Sequence, residues 1–173
     1  MKIAIIEPLG ITEKEVVTLQ ERFLAAGDTL VYYNSPAQDE AEKVRRAQEA
    51  EIIILANTPL PRTVLEKCPQ LKFLSVAFTG VDHVDMEYCH AHDIVVSNCS
   101  GYANEAVSEL VFGLAISLYR QILLEDAAVR HGKTRAGMPN FELCGKKFGI
   151  IGAGAIGRKT AMLAQAFGCE VYA

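Results

Sequence analysis

The sequence KKFGIIGAGAIGR, residues 146–158, decides the fold of the second part of the chain. Its apolar run, Phe148–Ile151, is typical of a buried parallel strand and leads directly into the spacing G-x-G-x-x-G. A helical apolar pattern follows and ends at Gly168, after which the short apolar run Val171–Ala173 predicts another strand. A glycine motif becomes informative in this strand–turn–helix–strand context.

Each glycine of the motif has its own physical task. Gly152 permits the tight turn, Gly154 lets the backbone approach a diphosphate, and Gly157 lets the helix pack close to its strand. Free amides at the start of the helix, from residues such as Ala155 and Ile156, then face the phosphates. We therefore predict that these five residues form a dinucleotide-binding site. The alternative is a glycine-rich turn without functional meaning.

The residue that would hold the ribose hydroxyls is not identified. A dinucleotide-binding fold places an acidic residue about 20 residues after the first glycine, at the end of the second strand. That position lies at or just past Ala173, and Glu170 precedes the predicted strand, so it is interpreted as a solvated charge. The expected cofactor is NAD or NADP, with a slight preference for NAD.

The composition is that of a globular protein. The chain has 173 residues, of which 50% are hydrophobic and 22% charged, and its formal net charge is −4. This balance gives no basic surface for nucleic acid, and no apolar run approaches the roughly 18 residues that a membrane span needs. The five cysteines are odd in number and widely spaced, which predicts reduced thiols in a cytoplasmic protein.

The first hundred residues alternate strand and helix patterns. The apolar runs predict strands at Lys2–Ile6, Leu30–Tyr33, Glu51–Ala56, Leu71–Val76 and Ile94–Ser97. The first helix begins with a capping box, T-E-K-E at residues 12–15. Five strands joined by helical crossovers predict a flavodoxin-like five-stranded parallel sheet. The whole chain is therefore expected to be α/β, with an incomplete Rossmann βαβ unit after this sheet.

A long apolar helix is predicted between these two parts, from Asn104 to about Leu124. Asn104 is able to cap it, and Glu105 suits the positive end of its dipole. The apolar residues form two stripes on this helix. This pattern predicts burial on more than one side, between two domains or between two subunits.

Three stretches carry a family resemblance: Ala77–Asp85 (AFTGVDHVD), Asn98–Glu109 (NCSGYANEAVSE) and Gly145–Gly157 (GKKFGIIGAGAIG). In this order they resemble the D-2-hydroxyacid dehydrogenases, which include phosphoglycerate dehydrogenase and hydroxypyruvate reductase. Members transfer a hydride reversibly between a nicotinamide and a 2-hydroxy or 2-oxo acid. The resemblance spans the chain and implies four parts: a flavodoxin-like substrate (catalytic) domain at 1–100, a long interdomain helix at 101–124, a linker at 125–143, and the first βαβ of a truncated NAD(P)-binding Rossmann domain at 144–173.

The resemblance implies that the loop for the substrate carboxylate falls on Thr79 and Gly80. Backbone amides there can hold a carboxylate without a charged side chain, at the carboxyl end of a parallel strand where open sheets bind ligands. The alternative is a plain strand-to-helix turn in which Asp82 or Asp85 caps the helix. Phe78 departs from the glycine that many members have, which would narrow this loop.

Two further residues acquire roles only through the resemblance. Tyr102 falls where some members place a tyrosine near the substrate, or it simply covers the hinge. Val107 falls where the family packs against the nicotinamide, whereas a lone valine on a helix is usually a core residue. Ser100 replaces the usual proline after the fifth strand, which makes the hinge less stiff.

The resemblance also implies catalytic residues that this sequence lacks. The family uses an arginine for the substrate and a histidine paired with a glutamate as acid and base, and all three are expected downstream of Ala173. None of the four histidines fits that role: His83, His90, His92 and His131. Cys89 near His92 suggests a metal site or a nucleophile, but no further ligands converge there and no metal site is predicted.

Three functional hypotheses follow. The chain is the front part of an NAD(P)-dependent D-2-hydroxyacid dehydrogenase, cut short and inactive alone. Alternatively, it is a non-enzymatic ligand-binding or dimerising module derived from that family. Thirdly, it is a structural assembly surface, because a two-strand remnant and exposed apolar helix faces need cover. The expected partners are a small 2-hydroxy or 2-oxo acid and a second copy, in a homodimer or swapped oligomer through residues 104–173.

Overall fold

The computed structural model describes all 173 residues, and the chain divides into two compact units, Met1–Ser100 and Gly101–Ala173. The first unit contains a five-stranded parallel sheet with the strand order β2-β1-β3-β4-β5. Its strands are β1 (Lys2–Ile5), β2 (Thr29–Tyr32), β3 (Ile52–Leu55), β4 (Phe73–Val76) and β5 (Val95–Asn98). Its helices are α1 (Glu13–Ala25), α2 (Glu40–Ala47), α3 (Arg62–Leu65) and α4 (Met86–Ala91). The predicted flavodoxin-like parallel sheet is confirmed.

The sheet is buried on both faces, which is why its central strands are apolar at successive positions. Alternate side chains of a strand point to opposite faces, and the core accordingly forms two clusters. One contains Ile53 and Leu74, and the other contains Ile3 with Ile52 packed against it. Ile53 and Leu74 have no exposed surface.

The capping box of α1 forms as predicted. The Thr12 hydroxyl oxygen accepts a hydrogen bond from the Glu15 amide at 3.3 Å, and the Glu15 carboxylate accepts one from the Thr12 amide at 2.7 Å. Two amides at the start of the helix are thereby satisfied. Gly27 follows the helix in a left-handed conformation, φ +79°, as a residue after a helix C-terminus commonly does.

The second unit packs three helices with a two-stranded parallel sheet. Its elements are α5 (Asn104–Tyr119), α6 (Ile122–Arg130), β6 (Lys147–Gly149), α7 (Ala155–Ala166) and β7 (Glu170–Tyr172). The Phe112 ring on α5 stacks on Phe148 and Phe167, with ring centroids 5.6 and 5.0 Å apart. The strand–turn–helix–strand order around the glycine motif therefore forms, and Gly168, at φ +77°, follows the helix. Glu170 is the first residue of β7 rather than the residue before it.

The single helix predicted from Asn104 to Leu124 is wrong, because two helices occupy this stretch. α5 ends at Tyr119, and α6 begins after Gln121, which has the left-handed φ of 53°. The Gln121 side chain compensates by donating to the Leu118 carbonyl oxygen at 2.9 Å. Ala103 rather than Asn104 holds the cap position, without a side-chain hydrogen bond. α6 continues to Arg130, so the first part of the predicted 125–143 linker is helical.

One apolar stripe of α5 is exposed within this chain. Leu110 is 59% exposed and Leu118 is 71% exposed, whereas Ser108 and Phe112 on the opposite face are buried. Burial on more than one side is thus not achieved by the chain itself. No single helix has the length and apolar character to span a membrane; α5 and α6 together would pass such a test, but they are bent by 55° at their break.

Candidate functional site

The strand order of the first unit reverses between β1 and β3, and open α/β sheets bind ligands beyond the carboxyl ends of the strands at such a point. Glu7 follows β1 there and is only 9% exposed. One of its carboxylate oxygens accepts hydrogen bonds from the amides of Ala56 and Thr58, at 2.6 and 2.9 Å. The loop after β3 is therefore held against the end of β1 by a buried carboxylate.

The same loop is joined to the loop after β4. The Leu60 amide donates to the His83 carbonyl oxygen at 2.8 Å, and the Asp85 amide donates to the Leu60 carbonyl oxygen at 3.2 Å. Leu60 is itself completely buried. The loops after β1, β3 and β4 thus form one braced edge at the carboxyl end of the sheet.

Thr79 and Gly80, predicted to hold a carboxylate, lie on the loop after β4. The Asn98 side-chain amide at the end of β5 donates to the Thr79 carbonyl oxygen at 2.6 Å, which fixes this loop from the neighbouring strand. The amides of Thr79 and Gly80 donate no hydrogen bond within the protein. The Asp85 carboxylate caps α4 by accepting from the Tyr88 amide at 2.8 Å. The cap of α4 at Asp85 therefore does not use the free amides of Thr79 and Gly80.

The glycine motif forms a tight turn between β6 and α7. Gly152 has φ +103°, a conformation that side chains rarely adopt. A Cβ atom on Gly157 would lie only 2.0 Å from the Gly152 carbonyl oxygen, so glycine is required for this close packing. Gly154 caps α7 without a side-chain hydrogen bond, and residues 152–155 are exposed. The amides of Ala155 and Ile156, in the first turn of the helix, are consequently open to a ligand.

The start of α5 lies beside the start of α7. The Lys159 ammonium forms an ion pair with the Glu105 carboxylate at 2.7 Å. Between the helices, Ser108 is buried and its hydroxyl bonds the carbonyl oxygens of Asn104 and Glu105, at 2.7 and 2.9 Å. Val107, predicted to lie near a nicotinamide, follows Glu105 by two residues on α5 and is 38% exposed. Tyr102 lies in the turn before α5.

The histidines and Cys89 show no catalytic arrangement. A ring nitrogen of His92 lies 2.9 Å from the Tyr88 carbonyl oxygen, and one of His131 lies 2.7 Å from the Ala127 carbonyl oxygen. No histidine forms an ion pair with a carboxylate. Burial, followed by the nearby Asp85 charge, raises the pKa of the Cys89 thiol, which opposes a role as a nucleophile. No three histidine, cysteine or acidic side chains are grouped to hold a metal ion.

Sequence reasoning assigned no role to three polar residues at these sites: Glu7, Asn98 and Arg158. Glu7 directly follows a strand at its carboxyl end, which was an available signal. Asn98 and Arg158 lie inside the stretches that carry the family resemblance. Nothing in the sequence indicates that their side chains bond the two loops.

Comparison with known proteins gives consistent matches. The sequence model of the catalytic domain of D-isomer specific 2-hydroxyacid dehydrogenases matches residues 3–167. Hydroxypyruvate reductase of Blautia hydrogenotrophica is 33% identical over 156 residues, which make up 86% of this chain and 48% of that protein. D-3-phosphoglycerate dehydrogenase of Methanocaldococcus jannaschii is 30% identical over 172 residues, 99% of this chain and 31% of that protein.

Solved structures agree with these sequence matches. The acyclic imino acid reductase Bsp5 was solved with NADPH and D-Arg, and it superposes on this chain with a TM-score of 0.85 at 32% identity. The superposition includes 98% of this chain and 54% of the Bsp5 chain. The chain thus spans about half the length of the reductases it matches, and about a third of the phosphoglycerate dehydrogenase.

Proposed function

The chain belongs to the D-isomer-specific 2-hydroxyacid dehydrogenase family, and we propose that its second unit, Gly101–Ala173, binds the diphosphate of NAD or NADP. The observation that carries this proposal is the packing of Gly157 against Gly152, which leaves no room for a Cβ atom. That packing sets the uncapped start of α7 directly behind an exposed glycine turn. Amides at a helix start, in the positive end of its dipole, suit a phosphate group.

The proposed cofactor-binding residues are Gly152, Gly154, Ala155, Ile156 and Gly157, with Val107 against the nicotinamide. The related reductase Bsp5 was solved with NADPH, which supports a nicotinamide cofactor for this chain too. When bound, a nicotinamide gives or accepts a hydride. The chain's own contribution is to hold the diphosphate and to pack an apolar side chain beside the ring. The preference for NAD over NADP remains part of the proposal.

The proposed substrate is a small 2-hydroxy or 2-oxo acid, held by its carboxylate on the amides of Thr79 and Gly80. Three observations support this: both amides lack a partner in the protein, Asn98 braces the loop that carries them, and the loop lies at the ligand-binding edge of the sheet. Tyr102 is the proposed further contact to the substrate. Hydride transfer between the nicotinamide and this acid is the activity proposed for the whole protein.

We propose that the acid–base histidine, its glutamate and the substrate arginine are supplied from outside residues 1–173. The contacts of His92 and His131 with backbone carbonyls support this, because neither ring meets a carboxylate. The 173-residue chain should therefore bind cofactor weakly and show no turnover. Oxidation of NADH by this chain in the presence of a 2-oxo acid would contradict this placement.

The binding proposal is tested by titrating the purified chain into NADH and following the nicotinamide fluorescence, with isothermal calorimetry as a second readout. Saturable binding is expected, and NADPH in parallel reports the phosphate preference. No binding of either nucleotide at millimolar concentration would refute a dinucleotide site. The chain would then be better described as a ligand-binding or dimerising module, for which binding of small carboxylates alone would be the positive result.

Asn98→Ala is expected to raise the KM of the whole protein for its acid about fivefold. The change removes one hydrogen-bond donor to the Thr79 carbonyl oxygen, and such a bond contributes about 1 kcal/mol. The KM for the nucleotide should stay unchanged, since only the acid-binding loop loses its brace. Steady-state kinetics in both substrates check this, with Asn34→Ala as control because Asn34 is exposed and bonds only Tyr32. An unchanged KM for the acid would remove the loop from the proposed site.

We also propose that residues 104–173 form a homodimer or swapped oligomer through the exposed stripe of α5. Its members are Leu110, Leu114 and Leu118. Exposed leucines in a row along one face of a helix form apolar surface that marks an interaction site. Light scattering should report an oligomer that Leu118→Glu disrupts, whereas Val17→Glu on the exposed side of α1 should not. A wild-type monomer at high concentration would contradict the proposal.

A further inference from the structure

Arg158 directly follows the third glycine of the motif, and its guanidinium is folded back onto the glycine turn. The Nη1 atom donates to the Ala153 carbonyl oxygen at 2.9 Å, five residues earlier in the chain. The side chain is exposed, so no packed core confines it to this position. This bond uses one N–H of a group that has five donors. A guanidinium with four further donors therefore lies at the edge of the turn.

The charges around the turn leave this guanidinium without an anionic partner. Residues 152–157 carry no charged side chain, and the first turn of α7 has no acidic residue. The next cation along the helix, Lys159, is already paired with Glu105 at 2.7 Å. The start of α7 contributes only about half a positive charge, whereas a nucleotide diphosphate carries two negative charges. Within the turn and the first turn of α7, Arg158 is the one full positive charge that is not paired.

We propose that Arg158 is a further cofactor-binding residue, whose guanidinium donates to the diphosphate oxygens of the dinucleotide. This proposal rests on the dinucleotide site proposed above. It adds a charged contact to a site that otherwise consists of backbone amides. The bond to the Ala153 carbonyl oxygen pre-orients the guanidinium, so less side-chain entropy is lost when the nucleotide binds. A planar guanidinium can bond two phosphate oxygens at once, which an ammonium group cannot do in the same fixed geometry.

The experiment compares NADH binding by the wild-type chain, Arg158→Gln and Arg158→Lys at low and high salt. Arg158→Gln should weaken binding about tenfold or more at low salt, because a charge-assisted hydrogen bond is lost. Arg158→Lys should recover part of the affinity, since lysine keeps the positive charge but lacks the two parallel N–H donors of the guanidinium. The affinity of the wild type should fall more steeply with salt than that of Arg158→Gln. Arg130→Gln is the control, because Arg130 is an exposed arginine of the same unit that pairs with Asp126 at 2.8 Å.

The salt dependence separates a contact to phosphate from a purely structural brace. If Arg158 only stiffened the turn through Ala153, Arg158→Gln would lose the same affinity at every salt concentration, and that result would overturn the proposal. Equal affinities of the wild type and Arg158→Gln at low salt would overturn it as well, while leaving the dinucleotide site intact. Absence of NADH binding by the wild type would refute the dinucleotide site itself, and the role of Arg158 with it.

Discussion

Gly157→Ala is expected to abolish dinucleotide binding and to destabilise the unit Gly101–Ala173 by about 3 kcal/mol, at the upper end of the usual cost of overpacking. The new Cβ atom would lie 2.0 Å from the Gly152 carbonyl oxygen and 3.1 Å from its carbonyl carbon. Both are backbone atoms, so a side-chain rotation cannot relieve the clash. The start of α7 has to move away from the turn, and the amides that face the phosphates move with it.

The measurement is urea unfolding followed by circular dichroism, together with the NADH titration. Gly113→Ala is the matched control. Gly113 lies inside α5 with nothing within 4 Å of an added Cβ atom, so alanine there should stabilise the helix by about 0.5–1 kcal/mol. If Gly157→Ala kept the stability and NADH affinity of the wild type, the turn and the helix would not pack as described.

Glu7→Ala is expected to destabilise the unit Met1–Ser100 by about 2–4 kcal/mol, because it removes the acceptor of two backbone amides. Both bonds are only partly buried, so leaving each amide unsatisfied should cost about 1–2 kcal/mol, the lower part of the usual range. The loss should appear as a lower urea midpoint with an unchanged slope. In the whole protein, the KM for the acid should rise as well. The loop after β3 loses its anchor, and this loop is bonded through Leu60 to the residues after β4.

Glu7→Gln separates the hydrogen bonds from the charge. Its side-chain oxygen can still accept hydrogen bonds from the amides of Ala56 and Thr58, so the free energy of unfolding should return to near that of the wild type. A small deficit should remain, because a neutral acceptor forms weaker hydrogen bonds than a charged one. Equal destabilisation by Ala and Gln would show that the negative charge, rather than the two hydrogen bonds, holds this edge together.

The first unit was predictable from sequence because its determinants are local. A strand buried on both faces must be apolar at successive positions, as Ile52–Leu55 is, and the hydroxyl and carboxylate of a capping box lie three residues apart. The glycine motif was predictable for the same reason, since the turn, the helix start and the close contact all fall within six residues.

The helix break at Gln121 was not predictable in this way. No glycine or proline marks it, and an apolar pattern continues across it into Leu123 and Leu124. A non-glycine residue in a left-handed conformation costs free energy that the surrounding structure must compensate. The compensating bond, from the Gln121 side chain to the Leu118 carbonyl oxygen, is a property of the folded chain and leaves no periodic signal.

The polar residues that brace the candidate sites were missed because their partners are distant in sequence. Glu7 bonds amides 49 and 51 residues away, and Asn98 bonds a carbonyl oxygen 19 residues away. Neither spacing belongs to a helix or strand period. Arg158 is closer to its partner, five residues, but that separation also lies outside the usual helical pairs. Such contacts depend on which loops the folded chain brings together. The sequence pattern predicts the order of the strands and helices but not these loop contacts.

The break between α5 and α6 sets a shape requirement on whatever covers their exposed leucines. α6 has nine residues, and its axis departs from that of α5 by 55°. At 1.5 Å per residue, its far end lies roughly 11 Å off the line of α5, which is about the diameter of a helix. A straight partner helix that packs along Leu110 and Leu118 would therefore lose contact with α6 near Leu123. The surface that covers both helices has to bend where α5 meets α6, or two separate segments have to cover α5 and α6.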